Sequence, residues 1–341
     1  MNAAWIASLS RRGFPALVLS ALVASVPHSA LGQSLALATD AAGTTVNTIG
    51  SGIAKVITQG TGINVAVRPF AGPDAWLPIL GRNEIQLGAI SSFTAWESYA
   101  QKGGGGAPVV RNMRLIQSGS GSLYVGYLVL ARSDIRRVKD LKGKRMSSAF
   151  GGHSAVISSI TSTLAPVDLT WKDVVPVPVV GIVNGIDALV SGRLDATWAA
   201  LGQPQVREAH AKVGIRYVPL ENSPKALELV RKIAFPGAQI VDIPANTAPG
   251  IEGVTPMMTY DSYLVSTDQL PADAVRKILT ALWDRNAELV AAHRNLKGFS
   301  RDHAVTSVPV IPYHPAAVAF FKEKGAWTEA ADKANAAASA Q

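Results

Sequence analysis

Apolar positions along the chain follow two alternating rhythms. Short continuous runs read as strands, and longer stretches with an apolar residue every three or four positions read as helices. Residues 35–39 form the first strand pattern, 40–45 a loop of small residues, and Val46, Ile49, Ile53 and Val56 a helical stripe that Gly60 stops. Residues 63–68 predict a second strand and 86–90 a third. Gly72-Pro73 opens a helix with proline suited to its first turn, and Ser91 and Ser92 lead into a helical segment at 93–101. Residues 122–132 are long enough to leave one lobe for another, and a second series then begins with a strand at 145–149, a loop at 150–153 and a helix face of Ile157, Ile160 and Leu164. Segments 174–180, 185–190, 194–200 and 204–213 continue the alternation.

Alternation of this kind places the chain in the α/β class around a largely parallel sheet. Residues 240–243 and 259–267 are expected to bring the chain back to the first lobe, with helices at 272–293 and 315–324 packing on it. Two crossings between two lobes imply a hinge with a cleft, the usual place for a small ligand. The expected division is an export segment at 1–32, lobe 1 at 33–130, lobe 2 at 131–243, a return to lobe 1 at 244–325, and a loose Ala-rich tail at 326–341. The run 103–106 is expected to be a flexible glycine loop, and no repeat with a period of 20 to 50 residues is present.

The first residues read as an address. Arg11 and Arg12 precede an apolar run at 14–26, small residues follow at Ala30 and Gly32, and cleavage is expected before Gln33. Ser10-Arg11-Arg12-Gly13-Phe14 resembles a twin-arginine signal, with an ordinary secretory signal as the alternative, and both lead to a periplasm-like compartment. No later run reaches the length needed to span a bilayer.

Composition narrows the chemistry. With 341 residues, 48% hydrophobic and 16% charged, the chain is too apolar for a disordered tail. The absence of cysteine excludes disulfides, thiolate nucleophiles and cysteine-held metals. The formal charge of +8, which loss of Arg11 and Arg12 lowers to +6, is spread along the chain with only 6% aromatics, so a nucleic-acid partner is not expected. His28, His153, His210, His293, His303 and His314 never fall at helical metal-ligand spacing, and neither a metal nor a cofactor is predicted. No Gly-x-Ser-x-Gly elbow is present, Gly143-Lys144 lacks the upstream glycine of a phosphate loop, and Gly50-Ser51-Gly52 suits close helix packing better than a dinucleotide fingerprint.

Several segments, in order, resemble the TAXI family of solute receptors, the extracytoplasmic subunits of TRAP-type transporters. They are Thr39 to Thr45 with Gly50 and Ala54, the Val-Lys-Asp-Leu-Lys-Gly-Lys-Arg run at 138–145, Ala149 to Ser154, Gly192 to Ala196, Gly202-Gln203-Pro204, Ile243-Pro244-Ala245, and the run 314–325. The resemblance covers essentially the whole chain after residue 32. It implies a two-lobed type II periplasmic-binding-protein fold with a hinge and interlobe cleft, closing on a small carboxylate or amino acid and handing it to membrane permease subunits. The sequence departs from that pattern at Asp40 and Ala41, where the family has glycine and serine, and at Val46, where it has tyrosine. Glutamate is therefore not carried over as the solute.

Physical reasoning converges on the same cleft, because loops after parallel strands present helix N-termini to one crevice, where free N–H groups attract an anion. Four such loops are small or hydroxylated: Asp40 to Thr45, Gly72 with Pro73, Ser91 with Ser92, and Gly151 to Ser154. Simple turn and N-cap chemistry is the alternative for any one of them. The candidate ligand-binding set is Thr39, Asp40, Ala42, Gly43, Thr44, Thr45, Gly72, Pro73, Ser91, Ser92, Tyr124, Gly151, Gly152, His153, Ser154 and Gly202. Asp40 is read as meeting a donor on the solute or as a helix cap, and His153 as a donor to a carboxylate or a structural loop residue. Tyr124, Trp198 and Tyr260 are apolar wall or core, and Arg68 a counter-ion or plain surface.

The expected function is non-catalytic capture of a small organic acid, amino acid or related polar solute by a monomer, for a TRAP-type permease. Three alternatives stand beside it: an ABC-importer receptor, an exported enzyme using His153 with Asp40 or Asp187 as acid and base, and a sensor accessory that binds solute and docks onto a receptor.

Overall fold

The computed structural model describes residues 34–100 and 106–341. The expected export segment and all of the glycine run except Gly106 lie outside the described residues. Three β-loop-α units open the chain: β1 (Ser34–Thr39) with α1 (Thr45–Thr61), β2 (Asn64–Pro69) with α2 (Pro73–Gly81), and β3 (Leu87–Ser91) with α3 (Ser92–Ala100). The strands β1, β2 and β3 are parallel, with β1 in the middle.

α1 shows how the pattern becomes structure. Its buried face carries Val46, Ile49, Ile53, Val56 and Ile57, and each fully buried side chain of this size contributes roughly 1.5–3 kcal/mol. Thr44 caps the first turn by accepting the Asn47 N–H at 3.2 Å, and Gly62 ends the helix in the left-handed region at φ 72°. Gly50 lies so close to Thr39 and Leu37 that a Cβ there would collide with both, so this glycine serves helix-on-sheet packing.

The long strand β4 (Met113–Leu130) leaves this layer and leads into a second series. That series contains β5 (Arg145–Ser148), α4 (Ser154–Leu164), β6 (Val175–Pro178), α5 (Ile182–Val190), β7 (Thr197–Ala200), α6 (Pro204–Val213), β8 (Ile215–Tyr217), α7 (Pro224–Ile233) and β9 (Gln239–Ile243). The chain returns through β10 (Thr255–Thr267), and α8 (Ala272–Asp284), α9 (Asn286–Ala292), α10 (Pro315–Glu323) and α11 (Glu329–Ser339) complete it. The main sheet runs β2-β1-β3-β10-β4-β7, while β5 and β6 form a small parallel pair that a bridge between Met146 and Ala196 ties to the segment entering β7.

The antiparallel pair β4 and β10 joins the two lobes. Residues 113–119 of β4 pair with 262–267 of β10, residues 123–125 pair with 258–260, and the register shifts between Tyr260 and Ser262. At that bulge Gly121, at φ 55°, donates its N–H to Asp261 Oδ1 at 2.9 Å. β4 therefore begins nine residues before the expected 122, and its register against β10 shifts between Gly119 and Leu123.

Two further expectations are corrected. The Ala-rich end is a packed helix: Thr328 caps α11 by accepting the Ala331 N–H, Asn335 accepts the Tyr313 N–H at 2.8 Å, and Ala331 and Ala338 are buried. Alanine is the best helix former, and its small side chain lets the helix lie close on its support. The single helix expected at 272–293 is two, because the chain turns at Arg285 and Asn286 binds the backbone at Phe299 and Arg301 instead of continuing straight.

Candidate functional site

Six junctions, each leading from a strand into the helix after it, meet at one cavity. Three follow β1, β2 and β3, and three follow β5, β6 and β7. The cavity measures about 40 Å³. The first three junctions contribute Asp40, Thr44 and Thr45 with Val46, then Pro73, then Ser91 with Ile90 and Thr94. The opposite three contribute His153 with Ala155 and Val156, then Ile182, then Gln203 with Trp198 and Ala200. Leu123 and Val125 of β4 and Tyr260 of β10 close the floor.

Each side chain is placed by its local backbone. The hydroxyl of Thr39 donates to the Asp40 carbonyl at 2.9 Å and accepts from Asn47 Nδ2 at 2.9 Å, which fixes the end of β1. Ser91 accepts the Thr94 N–H at 3.0 Å and so caps α3 from within its own loop. The loop before α4 is strained: Ala149, Phe150, Gly151 and Gly152 all have positive φ, of 64°, 40°, 48° and 104°. Non-glycine residues held there cost on the order of 1–3 kcal/mol each. The strain is held by the burial of Phe150 and by the contact of Gly151 with the Val180 carbonyl.

A chain of acidic groups and hydroxyls links the two sides. Asp40 Oδ2 accepts from His153 Nε2 at 3.1 Å, across 113 positions of sequence. Asp74, in the first turn of α2, accepts the Ser154 N–H at 3.0 Å and the Ser154 hydroxyl at 3.2 Å, while its own N–H donates to the Gly152 carbonyl at 3.1 Å. Gly72 packs so tightly on that carbonyl that a Cβ would overlap it. Behind them, Glu97 accepts from Ser158 at 3.0 Å.

Burial pushes the Glu97 carboxyl up to about 7, against the opposing hydroxyls of Ser158 and Ser154. Asp74 is raised as well, again mainly by burial. For His153, burial favours the neutral ring, but Asp40, Asp74 and Glu97 together outweigh it and hold the ring toward its charged form.

Four buried side-chain polar atoms on the cavity wall have no partner: Thr45 Oγ1, His153 Nδ1, Trp198 Nε1 and Gln203 Nε2. Unsatisfied buried groups are rare and costly, and four around one cavity mark it as a place for a polar molecule. Among the described residues no group of side chains is suited to hold a metal ion.

Of the sequence-predicted set, Asp40, Thr44, Thr45, Pro73, Ser91 and His153 line the cavity. Thr39, Gly72, Gly151, Gly152 and Ser154 stand one layer behind and shape it through the contacts above. Ala42 and Ser92 are not on its wall, Gly43 packs toward Val183 and Gln205, and Gly202 toward Arg294 and Asn295. Tyr124 faces away, because successive strand residues point to opposite sides and Leu123 and Val125 take the cavity face. Trp198 and Tyr260 are both core and wall. Arg68 is exposed on β2, and Asp187 binds Gln205 at 2.6 Å. Gln203 and Ile182 were missed, although Gln203 sits between Gly202 and Pro204, where a helix start was legible.

Comparison with known proteins places this geometry. A solved structure described as that of a periplasmic transporter superposes with a TM-score of 0.56 at 14% identity, covering 91% of this chain and 97% of its own. A Prochlorococcus marinus protein solved with methylphosphonate gives 0.49 at 13% identity, over 79% and 89%. The periplasmic aliphatic sulphonate binding protein of Escherichia coli gives 0.43 at 14%, over 88% and 91%. The fold is the two-lobed one of periplasmic binding proteins, and no helix among the described residues is long and apolar enough to cross a membrane. A model described as the NMT1-like family matches residues 37–325, without carrying the TAXI subtype, and the chain belongs to that family.

Proposed function

We propose that this protein is an extracytoplasmic receptor that closes on a small polar solute and delivers it to a membrane permease. One observation carries the reading: four unpartnered buried polar atoms surround a cavity to which six strand-to-helix junctions and both lobe-crossing strands contribute. Closure is the mechanism that fits, since the contacts of Asp74 with Gly152 and Ser154 join loops of opposite lobes and must break for a solute to enter. The register shift at Gly121 and Asp261 lies where β10 changes its second neighbour from β9 to β3, and we assign the hinge to it. Because the matched family does not carry the TAXI subtype, we place an ABC-type importer ahead of the TRAP permease implied by the sequence resemblance.

The test is thermal unfolding of residues 33–341 against amino acids, mono- and dicarboxylates, amides and sugars. A solute at about a hundred times its dissociation constant adds roughly 2.7 kcal/mol, a shift of a few degrees. Recovery of that solute unchanged supports capture, whereas its conversion favours the enzyme reading built on His153 and Asp40. Loss of its uptake on deleting one permease class, and not the other, decides between the two transporters.

A further inference from the structure

The proposal above leaves the charge of the solute open, and the cavity's own electrostatics bear on it. Helix N-termini ordinarily invite an anion. At two of them, α1 and α4, the protein has supplied its own. The first N–H of α4 is taken by the Asp74 carboxylate at 3.0 Å, and the Asp40 carboxylate stands at the loop that opens α1. Among the described residues lining the cavity there is no lysine or arginine; the ionisable pair is Asp40 with His153, and these two bind each other at 3.1 Å. Glu97 and Asp74 flank the histidine from α3 and α2, so any positive charge on His153 is already faced by three carboxyl groups. An anion entering this enclosure would find no unopposed cation, and burial of an unpaired charge is strongly unfavourable.

The unpartnered atoms define what is wanted instead. Trp198 Nε1 and Gln203 Nε2 can only donate, and Thr45 Oγ1 can do either. Because Nε2 of His153 is engaged by the Asp40 carboxylate, Nδ1 is the ring atom left toward the solute. The rest of the wall is aliphatic, with Ile90, Leu123, Val125, Val156 and Ile182.

Resting on the receptor reading, we infer that the solute is uncharged, with a carbonyl-type oxygen set against Trp198 and Gln203 and a small apolar skeleton on the aliphatic wall. This departs from the carboxylate class implied by the sequence resemblance. Asp74 acts here as a positioning residue, since it blocks the α4 end to external anions without lining the cavity.

Matched pairs of one skeleton test this by thermal shift and calorimetry: propionamide against propionate, isobutyramide against isobutyrate, and lactamide against lactate. The expected result is stabilisation by the amide of at least one pair and none by its carboxylate. A carboxylate that binds where its amide does not overturns the inference and leaves the receptor reading intact. Silence of every pair, together with silence of the wider solute panel, overturns the receptor reading and the inference with it. In Asp74→Asn, which keeps a hydrogen-bonding oxygen but removes the charge, the preference for amide over carboxylate should fall roughly tenfold. An unchanged preference overturns the role given to Asp74.

Discussion

α1 and α4 both begin at the cavity, yet their first turns are completed in opposite ways. α1 is capped by Thr44, the residue immediately before it, whereas α4 takes its cap from Asp74, 80 positions earlier and on a different helix. The first is a local property of the chain. The second exists only when the loops after β2 and β5 are in contact. One helix is therefore completed within its own segment, and the other by a contact with a distant loop.

Substitutions can separate these two cases. The largest effect is expected where α1 enters the core: Ile53→Ala should cost about 2–5 kcal/mol in denaturant unfolding, because a fully buried side chain leaves a cavity. A loss below that range would mean that α1 is less anchored than its burial indicates.

The next effect is a pH dependence on the α4 side. The folded-state value for Glu97 is raised to about 7 from an ordinary 4.5, so its contribution is fully present below pH 4.5 and is lost as pH rises through about 7. The change is on the order of 3 kcal/mol. Glu97→Gln should flatten the profile of unfolding temperature against pH across that window. An unaltered slope would show that Glu97 is not desolvated in the folded protein.

The caps themselves give the smallest and sharpest contrast. Thr44→Ala and Asp74→Ala should each cost about 0.5–2 kcal/mol. Thr44→Ala should lower stability with or without solute, while Asp74→Ala should also reduce the additional stabilisation that a solute brings. Equal responses to solute in both variants would remove the distinction between the two helices.

Legibility in the sequence follows the same division. The stripe Val46, Ile49, Ile53 and Val56 marked α1, and Pro204 to Val213 marked α6, because their signals are local. β8, only three residues long, is too short to show a period. α7 was missed although Ser223 and Pro224 open it, its apolar positions being diluted by lysine, arginine and glutamate on the exposed face. At the cavity, the loops after β1, β2, β3 and β5 drew notice through their small and hydroxylated residues. Gln203, Ile182 and the aliphatic floor carry no such mark. The enzyme alternative named Asp40 and His153 together, but no local pattern fixes their contact or sets Asp74 at the start of α4, since both contacts are made only by tertiary structure.

The borrowed cap also gives the molecule a built-in clock. The Ser154 amide hydrogen is held by an oxygen from the facing lobe, so its exchange with deuterated solvent should occur only in the moments when the lobes part. Timing that one hydrogen, with the Asn47 amide at the start of α1 as an internal reference, would read how often the cleft opens without attaching any label.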